Sequence, residues 1–472
     1  MKVVPHSEIQ MLGVPLGSDS FVSDFVQKKL IGRLGSTVNQ LVGFEDSQSA
    51  FYLLRVSFSI VRAVHFMRTT PLCQWKSQAA EFDAMVRRAA EEILGFPMSD
   101  HSYAQAALTP TLGGLGLRKT VEHAPGAFAA SWHESMAVAE EKWVRPAEVS
   151  EKHVLQKQAS FLFDEEMLKY LVSTAPSERE VQRLLRVAQP HAGAFITAVP
   201  SEEDGNATIL RPRNFCTAVA YRLGLNVMSD AIPCPMCKQN LDKLGDHATC
   251  CSRSGDIIVR HNSIRNLVNR VASDGLLDPV MEKKGILGPT SGRRPGDVTI
   301  RYWAEGKGLA IDVAVTSPFT ASNVRLDEPC ETYALSQKHA KYDVDFRGTS
   351  YLFGALVLET TGAINEEGAR ILSQLFRFAA KRLGQEFSSY CGRAWARLSC
   401  TLQRSVSQAI LSRCDGSGWQ ASASAPVVDG SSGSFSVVPR LSSVSVSSVF
   451  PLSGVCLVCA RGCAGACGCG VK

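Results

Sequence analysis

Two groups of residues in this sequence have types and spacings that suit chemistry. Cys234 and Cys237 are separated by two residues, His247 lies ten residues further on, and Cys250 and Cys251 close the run. Two thiolates at that spacing can grip one ion across a tight turn. A later histidine and cysteine complete a tetrahedral set with no position open to water, so the site would hold a structural zinc. A His-x3-Cys spacing puts both side chains on one helical face, which selects Cys251 over Cys250 as the fourth ligand. The alternative is a set of buried thiols.

The second group is acidic and basic. Glu282 ends a helical region, Asp297 opens a strand, and Asp312 sits within the apolar run LAIDVAVT. An unpaired aspartate inside a buried strand is costly and asks for a partner. A divalent ion is a natural one, because magnesium takes a few carboxylates and keeps its waters. Asp297 and Asp312 on adjoining strands could converge on one Mg²⁺ or Mn²⁺. Lys338 and Lys341 are three apart on the next helix and share a face. Either ammonium could orient a water or stabilise charge on a phosphate. A salt-bridged aspartate and a solvated lysine face are the plain alternatives. Arg260, His261 and Arg265 on a basic helix, with Arg293 and Arg294 before Asp297 and Tyr342 after the lysines, could hold a nucleic-acid backbone. Here too a solvated face is the alternative; Tyr342 could simply pack, and His261 with Asn262 could be hydrogen-bonding the helix start.

The elements that must position these residues follow from periodicity. Residues 257–273 read as a basic amphipathic helix, 297–303, 309–316 and 351–359 as strands, and about 326–345 and 365–411 as helices. Strands and helices mixed in this way predict an α/β core around a small sheet. Upstream, residues 1–125 read as mostly helical. Phe51 to Met67 is one apolar helix carrying Arg55 and Arg62 on a common face, and Trp75 to Leu94 is another. The glycines and proline of 108–120 mark a turn; it lacks the lysine and Ser/Thr of a phosphate loop. Residues 145–190 are helical and charged. From about 415 the chain is rich in Ser, Val and Gly, and most of it should be disordered. Five cysteines from Cys456 to Cys469 lie in that tail without an apolar framework.

Composition narrows the class. The 472 residues are 45% hydrophobic and 20% charged, enough for two or three domains with real cores. A net charge of +5 is mild, so local clusters carry the argument for a nucleic-acid partner. There is no run of eighteen uncharged apolar residues and no apolar signal-like start, so neither a spanning helix nor secretion is expected. A nuclear or cytoplasmic compartment would keep the fifteen cysteines reduced, as metal ligands or buried thiols rather than disulfides.

With those residues in hand, segment 234–342 resembles the C-terminal region of non-LTR retrotransposon proteins that carry a restriction-enzyme-like endonuclease. The matching features are the CCHC set Cys234, Cys237, His247 and Cys251; Arg260-His261-Asn262; Arg294-Pro295-Gly296-Asp297; Asp312; and Lys338 through Tyr342. Two departures stand out. Gly296 separates Pro295 from Asp297, and Ala314 stands where the wider PD-(D/E)xK pattern has its lysine. The chain is similar to the variant in which that lysine moves to the following helix, which leaves Lys338 and Lys341 both open. MLGVPLGS (11–18) is similar to the segment after a reverse transcriptase palm, and LRVSFSIVRAVHFMRTTP and PTLGGLGLR to its thumb and linker.

The resemblance implies an α+β protein. It would have the end of a palm (1–30), a helical thumb and linker (31–205), a linker and zinc knuckle (206–255), a restriction-like nuclease (256–412) and a low-complexity tail (413–472). It implies nicking of DNA for target-primed reverse transcription, with structural zinc, catalytic Mg²⁺ or Mn²⁺, element RNA as a second partner and no membrane. No YxDD-type pair occurs, so polymerase activity is not expected, and the reverse transcriptase would be a separate chain. The rival expectations are an inert nucleic-acid-binding remnant and a host-adopted nuclease with another target.

Overall fold

The computed structural model describes residues 8–140, 154–202, 206–228, 231–288 and 291–414. The low-complexity tail and its cysteine cluster lie outside the described residues. Among the described residues the architecture is mixed α+β, predominantly helical, with three small sheets.

Near the N-terminus, β1 (Ile9–Met11) and β2 (Val14–Leu16) form an antiparallel hairpin. Its two turn residues, Leu12 and Gly13, both have positive φ, the twist that suits a two-residue hairpin loop. Helices follow. The stretch Ser47–Thr69 is apolar and long enough to cross a membrane by composition, yet it is segmented. A helix (Ser47–Leu53), a π turn (Leu54–Phe58), a 3₁₀ turn (Ile60–Arg62) and another helix (Val64–Thr69) follow one another around Ser59. It sends Phe51, Leu54, Phe66 and Met67 into the core. The single helix expected there is therefore broken, and Arg55 and Arg62 do not share a helical face. The Arg62 guanidinium instead donates to the Ser57 carbonyl, while Arg55 lies over the Tyr52 ring.

Helix α1 (Lys76–Leu94) packs its apolar stripe into the same core. Past the glycine turn, α2 (Glu178–Val187) and α3 (Pro212–Leu223) lead to the cysteine cluster. α3 opens on a proline at its first turn and ends at left-handed Gly224, the usual asymmetry of helix ends.

The main sheet has the order β5–β6–β7–β8. β5 (Val280–Met281) and β6 (Val298–Ala304) are antiparallel, as are β6 and β7 (Lys307–Thr316), whereas β8 (Tyr351–Glu359) runs parallel to β7. The parallel step needs a crossover, which is supplied by a helix in three segments: Pro329–Tyr333, a π turn at Ala334–His339, and Ala340–Phe346. Strand periodicity divides β7 between two faces. Leu309, Ile311 and Val313 enter the core under α4 (Asp256–Asp274), α5 (Glu366–Arg382) and α6 (Phe387–Leu411). Ala310 and Ala314 face the crossover helix, so Asp312, between them, projects to that side. The expected helix over 365–411 is two helices, divided at Gly384, whose φ is 63°.

The helical half and the sheet half share packing. α6 lies against α4 and α5 and also sends Ala396 and Cys400 into the N-terminal core. The fully buried Glu359 carboxylate at the end of β8 accepts from Arg186 of α2, with Arg186 Nη2 3.0 Å from Oε1.

Candidate functional site

The cysteine cluster is built on a hairpin of β3 (Ile232–Pro233) and β4 (Asn240–Leu241) followed by a short helix, Asp246–Cys250. Between the strands the chain folds back at Lys238, whose φ is 67°. The Lys238 N–H donates to the Cys234 carbonyl, and the Cys234 N–H to the Gln239 carbonyl. Asp242 then caps the helix by accepting from the N–H groups of Asp246 and His247. The result brings the ligand atoms of Cys234, Cys237, His247 and Cys251 within 4.8 Å of one another. Cys234 Sγ and Cys251 Sγ are 3.9 Å apart, and Cys237 Sγ lies 3.2 Å from His247 Nε2. Four ligands about 2.0–2.3 Å from a tetrahedral zinc sit roughly 3.3–3.8 Å from one another, so the donor set and its spacing fit the metal. Burial opposes ionisation of Cys234, but backbone N–H groups of Cys237 and Met236, with His247 and Cys237, bring the thiol down to about 6. Cys250 turns away to the His247 carbonyl.

The acidic group forms a row across the sheet. Met281 pairs with Val298, and Val298 with Ile311. Glu282 stays in register with Asp297, its N–H donating to the Asp297 carbonyl at 3.0 Å, whereas Asp297 lies just before the paired part of β6 and donates its own N–H to the Ile311 carbonyl at 2.8 Å. Gly296 permits a close approach to β7: a Cβ there would lie 2.9 Å from that of Ala310.

Asp312 is buried and forms an ion pair with Lys338 from the π turn of the crossover helix. Burial is the largest influence on its carboxyl and, with Asp297 nearby, holds it above the usual range despite the lysine. Burial works against the Lys338 ammonium, yet the Asp312 carboxylate keeps it above its usual value. Asp297 accepts from the Val313 N–H at 2.7 Å, and its same oxygen, Oδ2, lies 3.2 Å from His261 Nε2. That contact raises the His261 pKa. Asp297 is near enough to Asp312 and Lys338, and His261 to Asp312, for their charges to act on one another.

The other sequence-derived residues lie elsewhere. Lys341 is exposed, with its ammonium 4.7 Å from the Tyr342 ring centroid. Glu282 follows strand β5 rather than a helix. Its φ of 46° is left-handed and breaks the pleat, so its side chain leaves the row. The carboxylate is instead taken by Arg265 at 2.7 Å and Arg294 at 2.6 Å. Arg260, expected on a phosphate, is 2% exposed and donates to the Thr249 carbonyl, tying α4 to the cysteine cluster. Tyr342, expected to face nucleic acid, packs among Ile286, Ala310 and Phe346. Arg293 pairs with Asp345. His261 lies within α4 rather than at its start; a sequence signal for its role was its i,i+4 relation to Arg265, which puts both on the face that meets the row.

No family model matches the chain, and no curated protein matches it either.

Proposed function

We propose that the chain is a metal-dependent DNA endonuclease of the restriction-like kind found in retrotransposon proteins, with a structural zinc in the Cys234–Cys251 cluster. The observation that carries this reading is the ion pair of Asp312 with Lys338, the lysine supplied by the crossover helix, with Asp297 near enough for its charge to act on both. Two carboxylates with one ammonium suit a magnesium or manganese ion that retains most of its waters. The buried Asp312 carboxyl, held high by burial, is the kind of group that gains from a cation. Asp297 and Asp312 would hold the ion, which would lower the pKa of a bound water and neutralise charge on the phosphate. Lys338 would place a fixed positive charge beside the reacting group, and the Val313 N–H and His261 would fix the rotamer of Asp297. In this reading the natural partner is duplex DNA, with element RNA and a separate reverse transcriptase in the wider process.

The test is nicking of supercoiled plasmid by the purified chain with Mg²⁺ and with EDTA, beside Asp312→Ala. Metal-dependent nicking that Asp312→Ala abolishes supports the proposal. No nicking by the native chain with either Mg²⁺ or Mn²⁺ refutes it. That outcome would favour an inert nucleic-acid-binding remnant, a reading supported by the engagement of Glu282 with two arginines, which leaves two acidic residues at the centre.

A further inference from the structure

An open cleft of about 540 Å³ lies next to the carboxylate row, walled by Val280 and Met281 and by four cationic side chains, Arg265, Lys283, Lys284 and Arg294. Among the described residues, the only carboxylate lining it is that of Glu282. Each oxygen of that carboxylate is claimed by a different guanidinium. Arg265 Nη1 donates to Oε1 and Arg294 Nη1 to Oε2. Arg265 comes from α4 and Arg294 from the loop before β6, so two separate elements converge on one anion.

We propose that this cleft is the seat of a DNA backbone phosphate and that Glu282 occupies it as an internal stand-in, displaced when the duplex binds. The inference rests on the endonuclease reading above. Its chemistry is that of the forked anion site: a phosphodiester presents two non-bridging oxygens, and paired guanidinium donors match that arrangement as they match a carboxylate. Two features favour a polymer over free phosphate. The cleft is open and has two more cations than the carboxylate engages, and it adjoins the catalytic row through the Glu282 N–H bond to the Asp297 carbonyl at 3.0 Å. A strand lying over Asp297 and Asp312 would continue into it. The left-handed backbone at Glu282 fits the same role, because it is what turns the side chain out of the row and into the cleft. Glu282 therefore competes with substrate, and its charge sets a threshold that a polyanion overcomes more readily than a single ion.

The test is binding of a fluorescent DNA duplex to the full chain in EDTA over a series of NaCl concentrations. Leaving metal out separates this from catalysis. Glu282→Gln should bind about five-fold more tightly at low salt, the gain expected from removing one unit charge a few ångströms from a phosphate in water. Arg265→Gln and Arg294→Gln should each weaken binding and lower the salt slope by about one. Equal or weaker binding by Glu282→Gln, or an unchanged slope in both arginine variants, overturns the proposal. If Glu282→Gln does not fold, the arginine variants carry the test alone. Should the native chain nick plasmid while these variants behave as the native chain does, only this inference falls. Should the native chain bind no duplex at all, the endonuclease reading falls with it.

Discussion

Replacing Lys338 or Lys341 by methionine separates two residues that are equivalent in sequence but not in structure. The Lys338 and Asp312 side chains retain only 18% and 11% of their exposure. Removing one partner of a fully buried pair costs about 3–5 kcal/mol, because the other charge is left without compensation. The residual exposure and the option of protonating Asp312 lower this to about 2–3 kcal/mol. With a urea dependence of about 2–3 kcal/mol per molar, the unfolding midpoint should fall by about 1 M. On the proposed endonuclease reading, losing a fixed cation beside the reacting phosphate should also cost about 10²–10³-fold in nicking rate. Lys341 makes an exposed contact with a ring, worth about 0.5–1 kcal/mol. Lys341→Met should therefore keep its midpoint within a few tenths molar and its nicking within about three-fold. Urea unfolding followed by fluorescence and a plasmid time course read both quantities. Loss of activity in Lys341→Met with retention in Lys338→Met would refute the assignment. An unchanged midpoint in Lys338→Met would refute the claim that Asp312 depends on that ammonium.

Two further outcomes are expected. Metal analysis of the purified chain should find one zinc bound by the cluster, and Cys251→Ser should lose it together with protection of Cys234 from thiol reagents, since a structural site contributes folding energy directly; a zinc-free native protein would refute this. Asp83, 8% exposed, has its carboxyl pushed up to about 6 by burial even though it accepts from the N–H groups of Thr120 and Val121. Its folded pKa thus lies above the unfolded value of about 3.8, so the native state holds more protons between them. The stability this group contributes, about 3 kcal/mol for a shift of about two units, is complete below pH 3.8 and lost as pH rises through 6. Urea unfolding at pH 4.5 and 7 should show Asp83→Asn losing that part of the pH dependence, and a native-minus-variant difference equal at both values would contradict it.

Elements with strong local signals were legible in the sequence. The runs at 297–303, 309–316 and 351–359 match β6, β7 and β8 within two residues, because β-branched, aromatic and other apolar residues gather there in short runs. The grouping of Cys234, Cys237, His247 and Cys251 was legible because thiolate spacing is itself a geometric constraint. Other features depend on contacts distant in sequence. Arg260 looks like a surface cation on an amphipathic helix, and nothing local announces that the Thr249 carbonyl waits for it. Glu282 has the residue type and register of a metal ligand, but a backbone conformation rare for glutamate redirects it. Ser59 breaks a run whose composition reads as one continuous helix. Lys338 and Lys341 could not be separated because a π turn shifts the angular position of every residue around it.

That same π turn and the cysteine cluster point to how the row is held. α4 carries His261 against Asp297 and Arg265 into the cleft, so its position fixes one side of the site. Its own anchors lie at the cysteine cluster. Arg260 donates to Thr249 between two of the ligands, His247 and Cys251. Arg413, at the end of α6, bonds Asp256 at the start of α4 and Ser254 just after Cys251. Both arginines are almost fully buried, and a buried guanidinium tolerates little displacement from its partners without a large desolvation cost. A metal that orders the cluster would therefore order α4 through two charged struts. The opposite wall, the crossover helix, is set separately by Tyr342 and Phe346 packing on Ala310. A metal in the cluster and the acidic row would thus be coupled by mechanics rather than chemistry: losing the metal should loosen the His261 side of Asp297 before it disturbs the Lys338–Asp312 pair.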